Sequence, residues 1–337
     1  MPEKQAKVVR VDRRGDRAVM EEESEELAKV GAKLIGVDCS TEEETIEAAR
    51  DAEVILTAAA QISRRVMENL PDLKAVVRYG IGYDTVDVDA ATDNSVLVVN
   101  IPDFCWEEVS NHAISLLLAC AKKLVILNNA VKNDGWGAAV RVLRPMVSIH
   151  GQTLGLIGCG NIGRMTARKA QCFGLTTLGY DPYVDKSVAR EYGITMVSLP
   201  ELLEKSDFVS VHCLLNDETR HLIGEKELKR IKPTAYLINT ARGAVIDEQA
   251  LVHALQGKLI AGAGLDVFEK EPADPDNPLL KMDNVVVTPH TASYSDVGFK
   301  RLRTSVGQEA ARVISGRWPK NVVNKAVKPK VNSVKEK

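Results

Sequence analysis

The 337-residue sequence predicts an α/β protein built from two doubly wound parallel-sheet domains. Three observations carry that prediction. Short apolar runs alternate with amphipathic stretches along nearly the whole chain, a glycine-patterned turn joins a strand to a helix at 158–163, and chemistry-bearing residues recur at the carboxyl ends of the apolar runs. The chain is long enough for two cores.

Composition narrows the class. With 45% hydrophobic and 27% charged residues the chain reads as an ordinary soluble protein, and 44 basic against 46 acidic residues leave a net charge of −2, with no nucleic-acid footprint or membrane-surface charge. No apolar run approaches the roughly 18 residues of a spanning helix, and the start, MPEKQAKVV, has no signal-peptide pattern. The six cysteines lack CxxC spacing and the six histidines lack HExxH spacing. They read as reduced, buried thiols of a cytoplasmic protein without a metal.

The first alternation runs from a strand at 7–11 through a helix at Glu21–Val30, a strand at Lys33–Val37, a helix at Thr41–Ala49 and a strand at Val54–Thr57. Thr41 and Glu44 stand in capping-box register. A helix at Ser63–Asn69 leads to a buried strand, Lys74–Val77, and then to Arg78, Tyr79, Gly80, Ile81 and Gly82. Two glycines at a strand end expose backbone N–H groups suited to a carboxylate, and Arg78 is a candidate second anion contact. The acidic cluster Glu21–Glu26 reads as a solvated helix face. After a strand at Val96–Val99, one long amphipathic helix is expected from Trp106 to Asn128, its stripe buried between subunits or domains, with His112 as a core or interfacial histidine. Residues 133–152 read as a connection.

Thr153 to Asp181 is the most informative stretch. The apolar strand Leu154–Ile157 meets Gly158, Gly160 and Gly163 in G-x-G-x-x-G order, a helical stretch follows, and a second strand, Thr176–Tyr180, ends on Asp181. Gly158 suits the tight turn, Gly160 the approach of backbone to a pyrophosphate, and Gly163 close packing of helix on strand. The first helical N–H groups, at Asn161 and Ile162, face phosphates, and Asp181 accepts from ribose hydroxyls. Pro182 and Tyr183 supply no cation for a 2′-phosphate, so NAD is expected over NADP.

Further strands are expected at Thr195–Val197, Phe208–His212, Tyr236–Asn239, Ala261–Val267 and Val285–Thr288, with helices at Val188–Tyr192, Leu199–Lys205, Glu225–Ile231 and Glu248–Gln256 between them. A long helix, Val297–Ser315, should return to the first lobe, and the lysine-rich tail after Asn324 reads as disordered. Arg242, Glu271 and His290 follow strand ends. An arginine that grips a carboxylate, with a histidine held by a glutamate, suits hydride exchange at a 2-hydroxy or 2-oxo acid.

Taken together, VVRYGIGYDTVD at 76–87, LGLIGCGNIG at 154–163, YDPY at 180–183, LINTARGAVIDE at 237–248, GLDVFEKEP at 264–272 and TPH at 288–290 resemble the D-isomer-specific 2-hydroxyacid dehydrogenase family. The resemblance implies a Rossmann nucleotide domain, about 101–292, inserted into a flavodoxin-like substrate domain made of about 1–100 and 293–337. It implies a homodimer through helix 106–128. It assigns catalysis to Arg242, Glu271 and His290, substrate binding to Arg78, Tyr79, Gly80, Ile81 and Gly82, and coenzyme binding to the glycine motif, Asp181, His212, Thr240 and Asp266. The wording is most similar to the branch of the C-terminal-binding proteins and phosphoglycerate dehydrogenases. Two positions depart from that branch: Ser293 stands where a tryptophan is usual, and Leu214 and Leu215 where a proline is. No extra regulatory domain is expected. The implied function is hydride transfer between NAD and C2 of a small 2-hydroxy or 2-oxo acid, with phosphoglycerate, glycerate or hydroxypyruvate, and glyoxylate as open substrates. An NADH-responsive interaction scaffold is the alternative.

Overall fold

The computed structural model describes residues 6–12 and 21–330. The chain divides into two compact units, one of Met1–Phe104 with Ser295–Lys337 and the other of Cys105–Tyr294.

In the first unit the chain runs β1 (Lys7–Arg10), α1 (Glu21–Ala28), β2 (Lys33–Gly36), α2 (Glu42–Ala48), β3 (Val54–Thr57), α3 (Arg64–Glu68), β4 (Ala75–Arg78), α4 (Val88–Asp93) and β5 (Leu97–Val99). The five strands pair in parallel in the order β2-β1-β3-β4-β5, the flavodoxin-like order. Both β3 and β4 are buried along their whole length, as unbroken apolar runs covered on both faces must be. The capping box of α2 forms, with Thr41 Oγ1 accepting from the Glu44 N–H at 3.2 Å and Glu44 accepting from the Thr41 N–H at 3.3 Å. Helix α4 is absent from the sequence reading. Its signal is Asp87, whose carboxylate caps the Ala90 N–H at 2.8 Å.

The second unit begins with α5 (Trp106–Ala121), α6 (Leu124–Asp134) and α7 (Trp136–Arg141). This corrects the single helix expected over 106–128 and the plain connection expected over 133–152. Lys123 adopts a left-handed backbone, φ 51°, and the axis bends by 56° between α5 and α6. The stripe Val109, Ala113, Leu116, Leu117 and Cys120 is buried in the unit's own core, where α5 packs on the sheet. Leu124, read as part of the same stripe, lies beyond the bend and is 55% exposed. Among the described residues no single helix is long and apolar enough to cross a membrane.

The unit continues through β6 (Thr153–Ile157), α8 (Asn161–Cys172), β7 (Thr176–Tyr180), α9 (Lys186–Glu191), β8 (Ile194–Met196), α10 (Leu199–Lys205), β9 (Phe208–Val211), α11 (Glu225–Leu228), β10 (Tyr236–Asn239), α12 (Glu248–Gln256), β11 (Gly262–Leu265) and β12 (Val285–Val287). The parallel sheet has the order β12-β11-β10-β9-β6-β7-β8. Its direction of growth reverses between β6 and β9, so a crevice opens at the carboxyl ends of those two strands.

The last helix, α13 (Asp296–Ile314), belongs to the first unit and packs on α1. The approach is close: a Cβ on Gly307 would meet the Glu23 Cα at 2.8 Å. The acidic run 21–26 is therefore a solvated face only in part: Glu21 and Glu25 are exposed, Glu22 and Glu26 are half-buried, and Glu23 is covered. Glu23 is fully buried, accepting from the Tyr79 hydroxyl at 2.6 Å and from Arg10 at 3.4 Å, and the Arg10 guanidinium lies 4.6 Å from the Tyr79 ring centre. The segment after Asn324 also departs from expectation as far as it is described. Asn324 is buried and bonds Val98 N–H and Val96 C=O, each at 2.9 Å, Val327 is buried, and the Lys330 ammonium donates to the Pro71 and Leu73 carbonyls. Residues 331–337 lie outside the described residues. Of the cysteines, Cys105, Cys120 and Cys159 are buried, but Cys172 is exposed, against the expectation of buried thiols throughout.

Candidate active site

The turn after β6 explains its three glycines one by one. Gly158 has φ 95°, and a Cβ there would stand 2.5 Å from the Cys213 backbone nitrogen. A Cβ on Gly163 would stand 2.2 Å from the Gly158 carbonyl oxygen, so only glycine lets α8 pack this tightly on β6. At Gly160 nothing lies within 4 Å of where a side chain would begin. That open face lies at the start of α8, whose N-cap, Gly160, offers no side-chain acceptor to the first N–H groups, including those of Asn161 and Ile162. Asp181, at the end of β7, accepts from Cys159 N–H at 2.8 Å through one oxygen, and from the Tyr183 and Val184 N–H groups at 2.9 and 3.1 Å through the other. The first oxygen keeps one acceptor position. His212 follows β9 across the crevice, its Nε2 bonded to Ser210 Oγ at 2.9 Å, its Nδ1 buried with no partner among the described residues. Open space over Gly160, uncapped helix N–H groups and an orphaned ring nitrogen fit a bound dinucleotide.

Burial pushes His212 down to about 4, from an ordinary 6.5. The folded chain refuses a proton that the unfolded chain accepts, so stability present above pH 6.5 falls as the pH drops toward 4. Replacing His212 with Asn is expected to flatten that acid-side loss, by about 2 kcal/mol between pH 7 and pH 5. Urea midpoints of the two proteins at pH 7 and pH 5 check it, and equal pH slopes contradict it.

The second cluster forms at the carboxyl ends of β10, β11 and β12. Asn239 closes the loop after β10, its Oδ1 accepting from Ala241 N–H at 3.0 Å and its amide donating to the Arg242 carbonyl at 2.9 Å. Gly243 then presses on the next loop, where a Cβ would stand 1.9 Å from the Phe268 carbonyl carbon. This contact sets the Arg242 backbone against the loop that carries Glu271. Glu271 accepts from Phe268 N–H at 3.1 Å and from His290 Nδ1 at 2.7 Å. Burial alone would raise the Glu271 carboxyl. The hydrogen bond and charge of His290, the Phe268 N–H and the field of Arg242 outweigh it and hold the carboxyl below its ordinary range. The acid therefore stays ionised, orients the imidazole and leaves Nε2 free to exchange a proton.

Arg242, Glu271 and His290 are thus brought together. Thr240 is buried in the Asn239 loop, and Asp266 is buried behind His290. Arg78, Tyr79, Gly80, Ile81 and Gly82 belong to the first unit, at the carboxyl end of β4. There Arg78 donates to the Tyr79 carbonyl at 2.8 Å, and Gly80 has φ 125°. Sequence reasoning missed the loop clip of Asn239 and the bond of the Thr288 hydroxyl to the Asp266 carboxylate, at 2.5 Å. Asn239, the asparagine ending an apolar strand just before a turn, is a recognisable signal for the first.

Residues 114–292, more than half of the chain, match the family model for the D-isomer specific 2-hydroxyacid dehydrogenase NAD binding domain. A glyoxylate reductase of Korarchaeum cryptofilum is 41% identical over 84% of this chain and 86% of its own length. The chain belongs to the D-isomer-specific 2-hydroxyacid dehydrogenases. A second member of this dehydrogenase family, the D-3-phosphoglycerate dehydrogenase of Methanocaldococcus jannaschii, is 38% identical over 84% of the chain, which spans about half (54%) of that longer protein. Among solved family structures, an NADPH-dependent glyoxylate/hydroxypyruvate reductase from Sinorhizobium meliloti, in complex with NADP and malonate, superposes with a TM-score of 0.85. It is 29% identical, with 97% of this chain and 99% of that chain covered. The two sheets and the nucleotide turn are therefore those of a 2-hydroxyacid dehydrogenase.

Proposed function

We propose that the chain transfers hydride between NAD and C2 of a small 2-oxo or 2-hydroxy acid, with Arg242, Glu271 and His290 as its catalytic residues. The observation that carries this reading is the 2.7 Å bond from His290 Nδ1 to a carboxylate that also feels Arg242, in a domain of the NAD-binding family. When bound, the nicotinamide supplies the hydride in reduction and takes it in oxidation. Arg242 grips the substrate carboxylate and polarises the carbonyl beside it. His290, protonated, donates from Nε2 to the oxygen that gains charge, while ionised Glu271 stabilises the imidazolium. In the reverse direction the neutral ring takes that proton. The names of the similar proteins support glyoxylate, hydroxypyruvate and 3-phosphohydroxypyruvate as the acids to try first. NADH oxidation against these and pyruvate is the test, and no turnover on any of them would remove the proposal.

The Gly158–Gly163 turn and α8 hold the pyrophosphate in this reading, and the free position on Asp181 takes a ribose hydroxyl. A carboxylate there repels a 2′-phosphate, so NADH is the expected coenzyme although a solved relative uses NADPH. Replacing Asp181 with Ser is expected to narrow the NADH:NADPH ratio of kcat/KM by roughly 10–100-fold, the worth of a hydrogen bond to a charged acceptor. A ratio left unchanged contradicts it.

Support for a homodimer moves from α5 to α6 and α7. Helix α6 buries none of its residues, and together with α7 it exposes Leu124, Val125, Val131, Trp136 (78%) and Val140. An apolar face of that extent suits a second copy of the chain. Sedimentation at micromolar concentration is expected to give a dimer, and a monomer once Trp136 and Val140 are both replaced by Asp.

A further inference from the structure

We infer that Asp266 is the positioning residue for His290, and that His112 braces it through Thr288; the inference rests on the reading of His290 as proton donor. The Asp266 side chain has no exposed surface. One carboxylate oxygen accepts from Thr288 Oγ1 at 2.5 Å, Thr291 N–H at 2.9 Å and Thr291 Oγ1 at 3.4 Å, and the other accepts from Ala292 N–H at 2.8 Å. The Asp266 carbonyl accepts the His290 N–H at 2.7 Å. All five donors come from the turn 288–292.

That concentration answers a specific problem. His290 sits at φ 54°, a left-handed backbone that a residue with a side chain adopts only where its surroundings over-determine it. Asp266 supplies the over-determination, gripping the turn on both sides of His290 and at the residue itself. Because the bond to Glu271 comes from a ring aimed by this turn, loosening the turn swings Nδ1 off its partner.

His112 enters by hydrogen accounting. Its Nε2 lies 2.8 Å from Thr288 Oγ1 and 3.5 Å from the same Asp266 oxygen. The threonine hydroxyl has one proton and donates it to the carboxylate, so its oxygen accepts from the ring. His112 therefore carries a proton on Nε2. Since α5 is anchored in the core, the chain His112, Thr288, Asp266 ties the His290 turn to a rigid element. This goes beyond the core or interfacial role read for His112 and beyond the coenzyme contact read for Asp266.

The test uses the full-length protein with ¹⁵N-labelled histidine and the variants T288V, T288S and D266N. In the wild type the His290 Nδ1–H, held by Glu271, is expected as a sharp downfield proton resonance. T288V, of nearly the same shape without the hydroxyl, is expected to broaden or lose that resonance and to lower kcat roughly 10–100-fold, the size of a sub-ångström to 1 Å misplacement. Its KM and NADH affinity are expected to stay near wild type, and T288S to restore both kcat and the resonance. D266N, whose amide would face one of the turn's donors, is expected to lose the resonance and kcat as T288V does or further, and, being a coenzyme contact in the same reading, to bind NADH more weakly as well. A wild-type resonance in both T288V and D266N overturns the inference whatever their activity. The resonance does not depend on turnover, so failure of the His290 assignment, read from its own variant, is a separate result.

Discussion

Replacing His290 with Asn is expected to lower kcat for reduction of a 2-oxo acid by roughly 10²–10⁴, the usual worth of a general acid. NADH binding, read by fluorescence, should survive. Asparagine is the informative substitution because it tolerates the left-handed backbone that position 290 requires, at φ 54°, better than other residues do. The turn is thus kept while the proton carrier is removed. An amide can still donate a hydrogen bond, but it cannot deliver a proton to a developing alkoxide. Glu271, left without the imidazole that helps hold its carboxyl low, loses two of the influences that oppose its burial. Unchanged kcat in this variant would end the assignment of His290 as acid and base.

The second large effect is expected at Arg242. Its lysine variant keeps the positive charge near Glu271 but loses the planar fork that can hold a carboxylate by two bonds. The expected result is a fall in kcat/KM of roughly 10²–10³, comparable to removing one donor from a developing oxyanion. The glutamine variant, without charge, should fall further. Gly243 and the Asn239 clip leave the loop backbone in place in both, so the loss reports on the guanidinium and not on a collapsed loop. If the lysine variant matches wild type on every acid tried, Arg242 is a structural charge and the carboxylate is held elsewhere.

The long helix shows where sequence reading stops. Its apolar spacing continues past Ala121 to Leu124, so periodicity alone extends one helix through 128. The break depends on Lys123 adopting φ 51°, a backbone state that no side-chain pattern encodes. The same limit applies to the acidic run on α1. Six residues rich in glutamate read as solvated, because the pattern contains neither α13 nor the Arg10–Tyr79 pair that covers Glu23.

By itself the sequence determined the alternation of strands and helices and the glycine turn with its acid, and it singled out the arginine, glutamate and histidine proposed to carry the chemistry. These are local properties, readable because turn sterics and hydrophobic period are imposed by near neighbours along the chain. Tertiary structure alone decided that Glu271 meets His290 at 2.7 Å, that Asp266 is occupied by the turn holding that histidine, and that α6 and not α5 is left uncovered. The first two depend on residues 19 to 26 positions apart and the third on how α5 packs on the sheet, meetings set by strand order and close packing, neither of which has a counterpart in linear spacing.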